Sequence, residues 1–360
     1  MIEFFRDVSD YCALDIPESH RLPIGIVGAG GIVDGQHLVA YRKAGLEVVG
    51  ITDVDPERAR QVAERHGIPR VFADRDELLA DDRIRVVDIA VPVSQQAEIF
   101  RAAVAAGKNI LAQKPFTETP ETARELAALA AERGVVAAVN QQLRFDEGIA
   151  AAHRMVELGW IGEPTTFTMS VDVFTDWTQW SWAKEMARLE IMVHSIHYHD
   201  VVRWFMGEPV SVYAIGGRVP GQYPIGETRT QSSYRFASGS SASVYANHMN
   251  PGGDNTAEFR IEGTAGAIRG TLGLMYDYPA GRPDTLELTS TVVPTDGWVP
   301  YPVTQRWFPD AFIGTMGSVL DAVATGSTPR SSVADNVKTI ELVAALYRSM
   351  ESNEVVALGA

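Results

Sequence analysis

The chain has 360 residues, 46% of them hydrophobic and 21% charged, a length and balance that predict two globular domains. Its formal charge of −15 argues against a nucleic-acid partner, because binding along a phosphate backbone takes clustered Lys and Arg. A single cysteine, Cys12, excludes an internal disulfide, and no apolar run reaches the roughly 18 residues of a membrane span or forms a signal-peptide core; a soluble, cytoplasmic protein with no membrane partner is expected.

Residues 1–21 read as an N-terminal extension. From 22 to 143, short apolar runs alternate with Ala- and charge-rich helical stretches, the rhythm of βαβ units. The runs at 24–27, 47–52, 85–91, 109–112 and 135–139 are continuously hydrophobic, as strands of a parallel sheet covered on both faces are. The first breaks into Gly28, Gly30 and Gly31 before helix-like sequence resumes at Ile32. Glycines at a strand-to-helix turn let backbone N–H groups approach a pyrophosphate, and the helix N-terminus adds partial positive charge. The second run ends in Asp53, 25 residues past Gly28, against about 20 in dinucleotide-binding units. Asp55-Pro56 and Thr119-Pro120 start helices that Gly67 and Gly134 end. An α/β fold with a doubly wound parallel sheet follows. Beyond Arg144 come a helix near 146–158 and long β-type runs from 165 to 290. Segments at 209–217, 229–237, 241–248, 256–262 and 266–271 are spaced like meander strands. They predict a second, α+β domain over 144–360 with a large, mostly antiparallel open sheet, and helices return at 310–324 and 334–350.

With these elements placed, the order and spacing of several motifs resemble the Gfo/Idh/MocA family of NAD(P)-dependent dehydrogenases (glucose-fructose oxidoreductase, inositol dehydrogenase and rhizopine catabolism). The motifs are Gly28-Ala29-Gly30-Gly31-Ile32, Asp53, Asp88-Ile89-Ala90-Val91-Pro92, Gln113-Lys114-Pro115, Asn140-Gln141-Gln142-Leu143-Arg144-Phe145, and the run from Ile196-His197-Tyr198-His199-Asp200 to Trp204. The resemblance implies a Rossmann domain at 22–143 and a substrate-binding, oligomerisation domain at 144–360. It also implies a homodimer or homotetramer, and hydride transfer between NAD(P) and a secondary alcohol of a sugar, polyol or cyclitol. Three positions depart from the family pattern: Val33 replaces the third fingerprint Gly or Ala, Gln113 replaces Glu, and Val193 replaces the Asp four residues before the catalytic His.

Carried onto this chain, the resemblance implies cofactor contacts from Gly28, Gly30, Gly31, Ile32, Ala90, Pro92, Gln113, Lys114 and Asn140. Asp53 accepts from the adenine-ribose diol, which favours NAD. A 2′-phosphate about 4 Å from the carboxylate costs about 4 kcal/mol at an effective dielectric near 20, and Arg58 is the cation that leaves NADP open. Lys114, at the carboxyl end of the 109–112 run, steadies alkoxide character on the reacting oxygen, and His197 takes the hydroxyl proton. On a regular helix Glu190, His194 and His197 share a face, so Glu190 or, preferentially, His194 orients the imidazole in place of the missing acid. Substrate contacts are expected from Lys114, Arg144, Glu190, His194, His197 and Trp180, the last from an aromatic-dense loop at 176–182. The Glu190, His194 and His197 face also reads as the site of a metal-dependent lyase or hydrolase, but further ligands at motif spacing are missing and no metal is expected. Val193 and Gln113 motivate another alternative, a non-catalytic dinucleotide-binding regulatory protein.

Overall fold

Continuously apolar runs separated by capped helices can be buried only as a sheet covered on both sides, and the computed structural model, which describes residues 3–359, has this arrangement in one of two compact units. The parallel-sheet unit comprises Leu14–Phe145 and Pro309–Ile340; the large-sheet unit comprises the N-terminal segment through Ala13, Asp146–Phe308 and Glu341–Ala360. The units therefore interleave along the chain, which differs from a cut at 143/144. The stretch 309–340 belongs with the parallel sheet because helix Ala311–Thr325 buries Phe312, Met316, Val319 and Leu320 against that unit's strands. Ser331 accepts the Val139 N–H at 2.8 Å.

In the parallel-sheet unit the five predicted runs become β1 (Ile24–Val27), β2 (Val48–Thr52), β3 (Val86–Ile89), β4 (Asn109–Ala112) and β5 (Ala137–Val139). They form one sheet in the order β2-β1-β3-β4-β5, parallel throughout. Asp55 caps helix Pro56–His66 by accepting from the amides of Glu57 (3.1 Å) and Arg58 (3.2 Å), and Gly67 closes it at φ 69°. Thr119 and Gly134 do the same for Pro120–Arg133. The helical run after β1 departs from regularity: Val33–His37 forms a π-helical turn leading into Leu38–Lys43, and it directs the His37 side chain into the interior.

The large-sheet unit contains β6 (Pro164–Asp172), β7 (Ser211–Gly217), β8 (Arg229–Arg235), β9 (Ser241–Asn247), β10 (Thr256–Gly263), β11 (Gly266–Thr271), β12 (Leu286–Ser290), β13 (Val299–Tyr301) and β14 (Val356–Ala357). Their order is β13-β12-β11-β10-β6-β9-β8-β7-β14. β6 runs parallel to β9, and the other described pairs are antiparallel. Along β8 exposure alternates strictly, with Thr230, Ser232 and Tyr234 inward and Arg229, Gln231, Ser233 and Arg235 outward, the period of a half-covered sheet. Helices Glu147–Glu157 and Ile196–Met206 pack on its strands. Among the described residues no helix is long and apolar enough to cross a membrane.

Because Phe312 is fully buried in the parallel-sheet unit, Phe312→Ala is expected to destabilise it by about 3 to 5 kcal/mol. Urea unfolding followed by circular dichroism measures the loss; an unchanged midpoint contradicts the assignment of 309–340 to that unit.

Candidate active site

Parallel register sets the geometry of the first unit's site. Thr52 pairs with Val27, Val27 with Ile89, Ile89 with Ala112 and Ala112 with Val139. The residues that follow these strand ends are Asp53, Gly28, Ala90, Gln113 and Asn140, so they stand side by side along one carboxyl rim in sheet order. Backbone bonds carry the ladder into that row: Gly28 N–H to Thr52 (2.8 Å), Ala90 to Val27 (2.9 Å), Gln113 to Ile89 (2.8 Å) and Asn140 to Ala112 (2.8 Å). The chain reverses its direction of travel across the sheet between β1 and β3, the switch point where open α/β sheets bind ligands.

Gly28 occupies that point with φ 110°, and a Cβ there would lie 2.2 Å from the Ala90 carbonyl oxygen, so only glycine fits. Gly30 and Gly31 face open space, with nothing within 4 Å of a Cβ at either, and the helical run begins at Gly31-Ile32. Bare backbone beside a helix start is the cradle a dinucleotide pyrophosphate requires, and the residues present fit that group. Asp53 is fixed at the turn, its Oδ2 accepting the Ala29 N–H at 2.6 Å and its Oδ1 the Asp55 N–H at 2.8 Å; each oxygen keeps acceptor capacity for a diol. Arg58, largely exposed, places Nη1 3.8 Å from Asp53 Oδ1 and Nη2 3.4 Å from Asp55 Oδ2. Ala90 walls the turn, and Pro92 precedes helix Val93–Ala105.

Lys114 lies two residues past β4 and is partly buried. Its loop is clamped by Gln96, whose Nε2 donates to the carbonyls of Gln113 (2.7 Å), Pro115 (3.0 Å) and Phe116 (2.8 Å). Burial pushes the Lys114 ammonium down to about 8. Two rim side chains expected at a cofactor instead turn inward: the amides of Gln113 and Asn140 approach His37 Nε2 at 3.1 and 3.3 Å. The Arg144 guanidinium is buried and donates to the Arg330 carbonyl (3.0 Å) and to Asp335 (2.7 Å), which ties two stretches of its own unit together. An enclosed guanidinium has to find such acceptors.

In the large-sheet unit, Glu227 organises the histidine segment. Its carboxylate accepts the amides of Leu189 (3.3 Å), Glu190 (3.1 Å) and Ile191 (3.3 Å) and the Tyr347 hydroxyl (2.6 Å). It thereby pins the start of a π-helix, Glu190–His194, that leads into Ile196–Met206. The wider turn breaks the shared face expected of a regular helix. Glu190 is fully buried, its Oε2 accepting from the hydroxyls of Ser195 (2.9 Å) and Thr230. The His194 ring packs on His248 (4.5 Å) and Trp177 (5.0 Å), whereas His197 meets Trp307 edge-on at 5.6 Å. Among the described residues no group of three His, Cys, Asp or Glu could hold a metal ion.

His248, the last residue of the predicted run 241–248, is the first residue past β9. It is buried, its Nδ1 is 2.9 Å from Thr175 Oγ1 and its Nε2 is 3.8 Å from Glu190 Oε1; burial pushes its imidazolium down to about 4. Its signal was its place directly after a strand. His199 is committed to Ser195 (2.9 Å) and Tyr234 (2.5 Å). Trp180 sits between two single-turn helices and meets Trp177 at 6.1 Å and Tyr278 at 6.0 Å. Val193 packs on the Trp177, Ala183 and Leu189 cluster.

A parallel sheet with a glycine turn at its switch point, an acid at the next strand end and a lysine just past the fourth strand defines a dinucleotide-binding oxidoreductase. The oxidoreductase-family model for the NAD-binding Rossmann fold (GFO_IDH_MocA) matches residues 22–141, and the GFO/IDH/MocA C-terminal domain model matches 149–269. The chain belongs to the Gfo/Idh/MocA family of NAD-binding oxidoreductases, as its motifs implied. It is 27% identical over 350 residues to D-apiose dehydrogenase of Paraburkholderia graminis, covering 94% of this chain and 90% of that one. It is 27% identical over 340 residues to D-xylose 1-dehydrogenase (NADP(+)) 2 of Haloferax volcanii, covering 93% and 99%. In fold it is similar to the crystal structure of an oxidoreductase from Agrobacterium radiobacter in complex with NAD+, L-tartaric acid and magnesium, with TM-score 0.83, 24% identity, and 94% and 98% of the two chains covered.

Burial pushes the Glu190 carboxyl up from 4.5 to about 8. The folded chain therefore holds a proton that the unfolded chain releases, and the associated stability is full below 4.5 and is lost as pH rises through about 8. Glu190→Gln, which keeps the shape without titrating, is expected to gain on the wild type across that window. Urea midpoints in a pH series test this; parallel curves contradict a buried neutral acid.

Proposed function

We propose that this protein oxidises a secondary alcohol of a sugar or polyol, with NAD as the preferred acceptor. The observation that carries the reading is the strand-end row, in which the Gly28 turn, the Asp53 carboxylate and the strand that delivers Lys114 end at one level of one sheet. When bound, a nicotinamide dinucleotide supplies the hydride acceptor. The backbone of Gly28 to Gly31 and the start of the following helix bind the pyrophosphate, and Asp53 accepts from the ribose diol. The Lys114 ammonium hydrogen-bonds the substrate oxygen and favours its alkoxide character. His197 takes the hydroxyl proton. One observation favours His194 for that step instead: its ring is half-buried, whereas His197 is 5% exposed, so His194 exchanges protons with water more readily. Trp180 offers an aromatic face to sugar C–H groups. The pentose names of the relatives support a sugar substrate, and the family resemblance supports a homodimer or homotetramer in the cytoplasm.

Lys114→Ala is expected to lower kcat about a thousandfold in an NAD-reduction assay over pentoses, hexoses and cyclitols. Of His197→Ala and His194→Ala, the base is the one whose loss removes turnover; if neither changes kcat, the proton route is wrong. Asp53→Ser is expected to narrow the NAD over NADP preference in kcat/KM at least about tenfold by removing the carboxylate that repels a 2′-phosphate. A wild-type preference for NADP contradicts the role given to Asp53, with Arg58 then the residue to vary.

A further inference from the structure

His37 is the hub of a buried polar cluster within the parallel-sheet unit. Its Nδ1 lies 2.7 Å from Asp88 Oδ2, which also accepts the Tyr41 hydroxyl at 2.7 Å. Burial, reinforced by the Asp88 charge, raises the Tyr41 phenol well above its usual range, so it stays a donor. On the other side of the ring, Nε2 faces Gln113 Nε2 at 3.1 Å and Asn140 Nδ2 at 3.3 Å, and the Phe312 ring centre lies 4.8 Å away. Asp88, His37 and Asn140 are wholly enclosed.

The orientation of the Gln113 amide follows from its neighbour. The Lys114 backbone N–H lies 2.8 Å from one end of that amide, and an N–H only donates, so that end is Oε1. The end facing His37 is then the NH2 group. A donor aimed at Nε2 makes that nitrogen an acceptor and leaves the imidazole's single proton on Nδ1, toward Asp88.

We propose that Gln113 is a positioning residue for Lys114: one side-chain amide holds the lysine's peptide and, through a singly protonated His37, ties it to the helix that follows the glycine turn. The tie runs from the end of β4 through His37 to Asp88 in the middle of β3, and the π turn at 33–37 is what swings His37 into it. The loop that presents the lysine and the helix that starts at the pyrophosphate cradle are thus held by the same side chains. An acid at 113 could still accept the Lys114 N–H, but it would present a second acceptor to Nε2, a contact satisfied only if another proton enters the cluster.

The role for Lys114 rests on the function proposed above; the state of His37 does not. Long-range proton–nitrogen spectra of the isotope-labelled, ligand-free full chain, with the His37 signal assigned by its loss in His37→Gln, are expected to show Nδ1 protonated and Nε2 bare. In Gln113→Glu both nitrogens are expected to carry protons. Gln113→Met, which offers neither donor nor acceptor, is expected to lower kcat about tenfold, the scale of one lost buried hydrogen bond, with both KM values changed less than kcat. A proton on Nε2 in the wild type overturns the proposal, as does Gln113→Met with unchanged kcat or with its whole effect in KM. If the protein reduces no NAD with any sugar, the functional reading fails while the wild-type spectrum still decides the link.

Discussion

Four pairings, Thr52 with Val27, Val27 with Ile89, Ile89 with Ala112 and Ala112 with Val139, bring five strands to a halt at one level. Everything proposed for the parallel-sheet unit depends on that shared edge. A slip of one residue in any pair would invert the facing of that strand's side chains and draw Gly28 away from Ala90 or Lys114 away from the rim. The register is held because each of these strands is enclosed on both faces, so a slip leaves buried polar groups unmatched. Asp88 illustrates the constraint: a carboxylate in the middle of β3 is tolerable only where His37 and Tyr41 meet it.

Both units use a π-helical turn next to their chemistry, Val33–His37 in one and Glu190–His194 in the other, and each ends on a histidine. Such turns are rare and occur mostly as single turns at functional sites, and here side chains hold each one. In the first case His37 is held by Asp88 and by two amides. In the second, Glu227 receives three successive backbone N–H groups and a phenol, four bonds to one carboxylate. The extra residue in each turn swings one side chain out of helical phase: His37 goes into the sheet of its unit, and Glu190 goes under β8, where the Thr230 hydroxyl donates to it.

Strand ends were the most legible part of the site. Gly28, Asp53, Gln113 and Asn140 each follow an apolar run, Ala90 lies near the end of one, and they share one rim. Facing was less legible than position. Gln113 and Asn140 stand on the rim with their amides turned inward, Arg144 is enclosed by Arg330 and Asp335, and the face drawn through Glu190, His194 and His197 dissolved because it assumed 3.6 residues per turn through a stretch that does not keep that period. His248 obeys the same strand-end rule in the second sheet, directly after β9.

The sequence alone determined the five parallel strands, the capped helices between them, the mostly antiparallel character of the second sheet and the family, because these are written in local periodicity, in glycine and proline punctuation and in short motifs; the helix Arg6–Tyr11, the short strands β13 and β14 and the two π turns carried no such mark. Tertiary structure decided which side chains turn inward, which unit claims the stretch 309–340, and which partners His37 and Glu190 meet. Those properties depend on partners 40 to 270 residues away, such as Asp88 for His37, Thr230 for Glu190 and Asp310 for Lys43. No local pattern specifies the dielectric or the hydrogen-bond partners that such distant contacts create.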